Sequence, residues 1–94
     1  MLYMVTARFK PDVEAQHAAL TTEFSEHMRQ PLLHIHLVGA LRDEAGMRVG
    51  LLLMMEADGR AQVDRFLENS PYNAAGLYRD VKIDVLEIEA GGLK

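Results

Sequence analysis

Ninety-four residues hold one domain and one core, since a chain this short buries only somewhat more than ~60% of the surface its unfolded form exposes. Ten basic against fourteen acidic side chains leave a net charge of −4, and the basic residues (Arg8, Arg29, Arg42, Arg60 and Arg79 among them) form no block, which argues against nucleic acid as a partner. With no cysteine, disulfides, thiolate nucleophiles and Cys-based zinc sites are excluded; the opening MLYMVTARFK carries no charged leader and no apolar run approaches the ~20 residues of a membrane span, so a soluble, cytoplasmic protein is expected.

Residues 2–9 alternate around Leu2, Tyr3, Met4, Val5 and Phe9, the pattern of a first strand, and Pro11 ends the ladder by withholding its N–H. From Asp12 the period changes. Val13, His17, Leu20, Phe24 and His27/Met28 recur at three- and four-residue spacing, one stripe of a helix that must end near Gln30 because Pro31 disfavours helical geometry before it. Residues 32–41 read as a second strand with Leu33, Ile35 and Leu37 on one face and His34, His36 and Val38 on the other.

After a turn at residues 42–46, residues 48–57 form a third strand whose Leu51 to Met55 are apolar on both faces, so both faces should be covered. A second helix spans residues 60–69 and carries Ala61, Val63, Phe66 and Leu67, and Pro71 to Gly76 allow one tight helical turn. Residues 79–88 are the last strand. Its apolar phase runs Val81, Ile83, Val85 and then shifts to Leu86 and Ile88, which predicts a bulge near residues 84–86, and the tail 89–94 is expected to be loose or to cross to a partner.

The order β-α-β-β-α-β is the ferredoxin-like split arrangement, an α+β fold with an antiparallel four-stranded sheet and both helices on one face. One helix layer covers one face of the third strand. The other face lacks a cover within the chain, so a homodimer paired through that apolar surface is expected.

The stretch Asn69-Ser70-Pro71-Tyr72-Asn73-Ala74-Ala75-Gly76-Leu77-Tyr78, followed by Val81-Lys82-Ile83, resembles the carboxy-terminal signature of the YCII family, Asp-Pro-Tyr or Asp-Pro-Phe, then Ala-Gly-Leu or Ala-Gly-Val, then a strand. The Leu-x-Tyr opening, Val38-Gly39-Ala40-Leu41 in place of the family's Gly-Pro-Leu, and Glu44-Ala45-Gly46 before the third strand agree in order and spacing. The resemblance implies a dimeric α+β barrel. A pocket in each subunit would be lined by the first helix, the inner sheet face and the Asp-Pro turn, with chemistry by a His–Asp dyad that in one branch eliminates chloride from chlorinated hydroxyquinols. This sequence departs twice from the pattern: Ser70 replaces the dyad Asp, and the helix His position falls between Thr22 and Phe24.

His27 is the expected substitute, about one helical turn further along the stripe, with Phe24 beside it as a substrate-facing ring; a helix-end histidine complementing the dipole is the alternative. His34 and His36, two apart on a strand, would share a face and could line the pocket, His36 moving a proton and His34 holding substrate. No third ligand stands at a telling distance, so neither metal nor other cofactor is expected. Ser70 could offer its hydroxyl at the pocket mouth or simply close the turn, and Tyr72 could donate into the pocket or pack against the second helix. His17, central on the stripe, reads as a core histidine.

The expected function is that of a YCII-like small-molecule enzyme with lyase or isomerase acid–base chemistry on a hydroxylated aromatic or quinone-like compound. A non-catalytic binding or accessory protein that lost the dyad is one alternative, and a cofactor-free monooxygenase of the related barrel type is another.

Overall fold

The central strands follow directly from period-two patterning. In β1 (Leu2–Phe9) Tyr3, Val5, Ala7 and Phe9 are buried while Leu2, Met4 and Thr6 are half-buried on the opposite face. In β3 (Arg48–Glu56) Leu51, Leu53 and Met55 point the same way as the buried β1 set, because Val5 pairs with Leu53 and Tyr3 with Met55. The structure, a computed structural model, describes residues 1–92; the last two residues of the 89–94 tail lie outside the described residues.

The other strands, β2 (His34–Arg42) and β4 (Tyr78–Val85), complete a four-stranded antiparallel sheet in the order β2-β3-β1-β4. The helices α1 (Glu14–Ala19), α2 (Thr21–Met28), α3 (Arg60–Glu68) and α4 (Pro71–Ala74) form the other layer. Phe24 from α2, Val63, Phe66 and Leu67 from α3, and Tyr72 from α4 join the inward residues of β1 and β3 in one core. The ferredoxin-like α+β architecture is thus as the element order implies.

The stripe expected to form one helix from Asp12 to Gln30 is broken at Leu20. Its N–H bonds the carbonyl three residues back, His17 O, at 3.2 Å, and the Thr21 hydroxyl donates to Ala18 O at 2.9 Å, so the backbone tightens for one turn before α2 begins. His17 and Phe24 nevertheless both reach the core, while Val13, Leu20, His27 and Met28 are half-buried.

Bulges correct two further expectations, in β2 and β4, and a third bulge lies in β3. In β2 the register skips His36 between Ile35, opposite Met55, and Leu37, opposite Met54. That extra residue reverses the faces beyond it, so Leu37 lies on the open face, 45% exposed, and does not share the core face with Ile35. In β3 Val49 is passed over between Gly50, opposite Leu41, and Arg48, opposite Arg42. In β4 the irregularity falls at Arg79, between Asp80 opposite Arg8 and Tyr78 opposite Phe9, and not at residues 84–86. The phase shift seen there in sequence marks the end of the strand, where Leu86 N–H makes a last bond to Leu2 O at 2.9 Å.

Met4, Leu52, Met54 and Leu37 occupy the sheet face away from the core, and no helix among the described residues covers it.

Candidate functional site

The functional geometry begins with the Val49 bulge. In regular alternation Arg48 would share the open face with Gly50, Leu52 and Met54; the inserted residue turns it to the helix side instead. There one guanidinium nitrogen, Nη1, lies 3.3 Å from His17 Nδ1 and 3.4 Å from the Tyr72 hydroxyl. The Arg48 Cζ also stands 5.5 Å from the Phe9 ring centroid and 5.6 Å from that of Tyr72, within cation–π range of both.

His17 comes from α1, where its position on the inward stripe lays the imidazole flat on Phe9, with centroids 4.4 Å apart and planes at 18°. A guanidinium can only donate, so Nδ1 is the acceptor and the neutral ring carries its proton on Nε2. Burial, and next the Arg48 charge, hold its pKa below the usual histidine value, with Glu14 partly opposing. Nε2 has no protein partner among the described residues and still reaches solvent.

Tyr72 is presented by the turn that follows α3. Ser70 is the extended residue before Pro71, which pre-sets the first helical position, and Gly76 closes the turn at a φ of 70°, letting Leu77 N–H return to Tyr72 O at 3.0 Å. The Tyr72 ring is 1% exposed, stacks on Phe24 at 4.5 Å and meets Phe9 edge-on at 5.4 Å. Tyr78 stacks on the same Phe9 at 5.6 Å; burial pushes its pKa up to about 12, an effect that the neighbouring Ser70 hydroxyl opposes. The Ser70 Oγ, though near Tyr78, makes no hydrogen bond of good geometry and is fully buried.

A cleft of about 340 Å³ opens here between α1, the end of β1 and the start of β3, with Phe9, His17 and Arg48 in its wall. The expected site residues fall in three places. Ser70, Tyr72 and Phe24 belong to the aromatic cluster behind this cleft. His27 is elsewhere: its Nε2–H donates to Phe66 O at 2.8 Å and its ring stacks on Phe66 at 4.3 Å, beside a second cleft of about 450 Å³. His34 and His36 stand on the open sheet face, rings 4.4 Å apart, with His36 Nε2 3.4 Å from Glu56 Oε1. His27, His36 and Ser70 are therefore not brought together.

His17 reads from sequence as a core histidine, and its burial agrees; its arginine neighbour is what sequence reasoning missed. The available signal is a lone arginine opening an otherwise apolar strand, two residues before a glycine. Among the described residues no group of three or more His, Cys, Asp or Glu side chains converges as a metal site.

The family model of the YCII-related domain matches residues 1–87. Among solved structures, 5-chloro-2-hydroxyhydroquinone dehydrochlorinase (TftG) from Burkholderia phenoliruptrix AC1100, in complex with 2,5-dihydroxybenzoquinone, superposes with a TM-score of 0.82 at 21% identity, covering 93% of this chain and 94% of that one. Rv0793 from Mycobacterium tuberculosis superposes with a TM-score of 0.60, also at 21% identity, over 97% of this chain and 100% of that one. At such identities the likeness is one of fold. No curated protein matches the sequence.

Proposed function

The chain belongs to the family of YCII-related domains, and on that premise we propose that it is a small-molecule enzyme acting by acid–base chemistry of the lyase or isomerase type on a small hydroxylated aromatic or quinone-like compound. The carrying observation is the cleft in which a neutral, buried imidazole and an arginine meet against the Phe9 ring. The dehydrochlorinase of like fold, whose name and bound dihydroxybenzoquinone point to such rings, supports the substrate class.

In tautomerisation of a hydroxylated ring a proton leaves a ring oxygen and one arrives at a ring carbon, with charge on that oxygen in between; in elimination chloride then departs with the C–Cl electron pair as a second ring hydroxyl loses its proton. Arg48 supplies fixed positive charge for that oxygen in a partly water-excluded cleft, where such charge counts for more than in bulk water. His17 has its proton on Nε2, the nitrogen free of protein partners, and is placed to donate it. Phe9, Val13 and Met47 add apolar wall to the cleft, with the Tyr72 ring packed behind it. This reading includes a homodimer joined through the open sheet face around Met4, Leu52 and Met54, checked by light scattering.

The direct test is turnover of hydroxyquinols and their chlorinated forms, followed by absorbance and by chloride release. His17→Gln should lower kcat by roughly 100-fold or more, the usual scale for a general acid. His27→Gln and His36→Gln test the two proton carriers expected from sequence. If either of these abolishes turnover while His17→Gln leaves it intact, the chemistry lies outside the cleft beside Arg48.

A second reading, a binding protein without catalysis, draws on Ser70. A buried hydroxyl stands where the family resemblance calls for an aspartate, and it cannot be the anionic partner of an imidazole at neutral pH. Ligand binding with no turnover of any such ring compound would favour it.

A further inference from the structure

Charge in the cleft runs against charge in the chain. The protein carries −4 overall, yet the cleft is lined by Arg8, Lys10, Arg48 and Arg79 against Glu14 and Asp43. Asp43 is turned to local use, its Oδ1 accepting from Met47 N–H at 2.9 Å, and Arg79 pairs with Asp80 at 3.0 Å. Arg8, Lys10 and Arg48 take part in no ion pair among the described residues.

Arg48 stands out among these, because the Val49 bulge turns it away from the open face and sets it between aromatic rings. Its two polar contacts are long, 3.3 and 3.4 Å, both from Nη1, and both to neutral acceptors. The remaining guanidinium donors, set in the planar fork that matches a carboxylate, are without a protein acceptor. A cation held beside low-dielectric walls without a counter-ion is stabilised by an anion arriving from solution.

We propose that Arg48 is the anchor of an anion subsite, so that the ligand of this cleft is an ionised aromatic whose paired oxygens, those of a carboxylate or the adjacent carbonyl and oxyanion of an ionised 2-hydroxyquinone, are gripped by the guanidinium. This rests on the cleft being the functional site and adds to it the charge of the ligand. The ring of such a ligand lies in the cleft among Phe9, Val13 and Met47, and Arg8 and Lys10 draw the anion to the mouth. As Arg48 turns to the anion, His17 Nδ1 loses its donor and the imidazole is free to take up a proton.

A matched pair of probes tests this: 2-hydroxy-1,4-naphthoquinone, ionised at neutral pH, and its neutral 2-methoxy analogue, titrated into the full-length protein by calorimetry. The chain has no cysteine to add to a quinone. The wild type should favour the ionised probe by roughly tenfold or more, the scale of one charge-assisted hydrogen bond, with the preference shrinking as salt is raised. Arg48→Met should erase the preference while binding the neutral probe within about threefold of wild type. Arg48→Lys should keep the sign of the preference but weaken it.

Equal affinities in the wild type, or a preference that survives Arg48→Met, would overturn the proposal, and the wild-type comparison stands even if the Met variant does not fold. Turnover of hydroxyquinols without any charge preference sinks the anion subsite and leaves the enzymatic reading. Tight, Arg48-dependent binding of the ionised probe without turnover of hydroxyquinols supports the subsite and sinks that reading.

Discussion

Gly50 follows the Val49 bulge and lies against the backbone of β1, so Gly50→Ala should damage both stability and the cleft beside it. A Cβ at this position would overlap the Ala7 carbonyl oxygen and come within 3.3 Å of the Ala7 carbonyl carbon and the Arg8 Cα. All three obstacles are backbone of the neighbouring strand, so no side chain can swing away; β1 and β3 must part by something on the order of 1 Å. Overpacking of this kind costs about 1–3 kcal/mol, and weakening one ladder hydrogen bond adds about 1, giving roughly 2–4 kcal/mol in all. Against the ~5–15 kcal/mol stability of an ordinary domain, that lowers Tm by something on the order of 10–30 °C.

The control is Gly39→Ala, also in a strand, where a Cβ would meet nothing within 4 Å. It should be neutral or stabilising by up to about 1 kcal/mol, because alanine narrows the unfolded ensemble. Urea titration followed by circular dichroism measures both, with the naphthoquinone titration repeated on each. Near-equal stabilities for the two variants would refute the close-approach argument, and unchanged ligand affinity in Gly50→Ala would refute the link from bulge to Arg48.

Tyr72→Ala should cost about 3–5 kcal/mol by emptying the space between Phe24 and Phe9, whereas Tyr72→Phe should cost under about 1 because only the long bond from Arg48 is lost; denaturant midpoints separate the two. Ser70→Ala removes a buried hydroxyl with no well-formed hydrogen bond, so Tm should hold or rise, and a loss above about 2 kcal/mol would show that Oγ has a partner after all. The depressed pKa of His17 means that the unfolded chain binds more protons than the folded one once pH drops toward the ordinary histidine value of 6.5. Its contribution is therefore intact above pH 6.5 and is lost as pH falls through the lower folded-state value; His17→Gln should flatten that part of the stability profile, which thermal melts between pH 8 and 5 would reveal.

Much of the scaffold was open to reading because its signals are local. The β-rich run from Leu2 to Phe9, stopped by Pro11, marks the first strand, and the spacing of Val63, Phe66 and Leu67 marks the buried side of α3. The stripe through His17 and Phe24 survives the break at Leu20 because a single tightened turn hardly rotates it. Phe24, Ser70 and Tyr72 could likewise be singled out from the helix stripe and the Pro71 turn. The grouping of His27 and His36 with them could not be judged from spacing, since one lies at the far cleft and the other on the open face of the sheet.

By itself the sequence determined the order of strands and helical segments and the inward stripe of the helices, since these depend on periodicity within a few residues and on the prolines and glycines between them. Only the tertiary structure decided which charges and rings meet. His36, Val49 and Arg79 are extra residues solely in relation to a partner strand, and one such insertion swaps the face of every residue beyond it. Arg48 reaches His17 and Tyr72 across 31 and 24 residues of chain because of one of these insertions, and no local pattern encodes a register that exists only once two strands are paired.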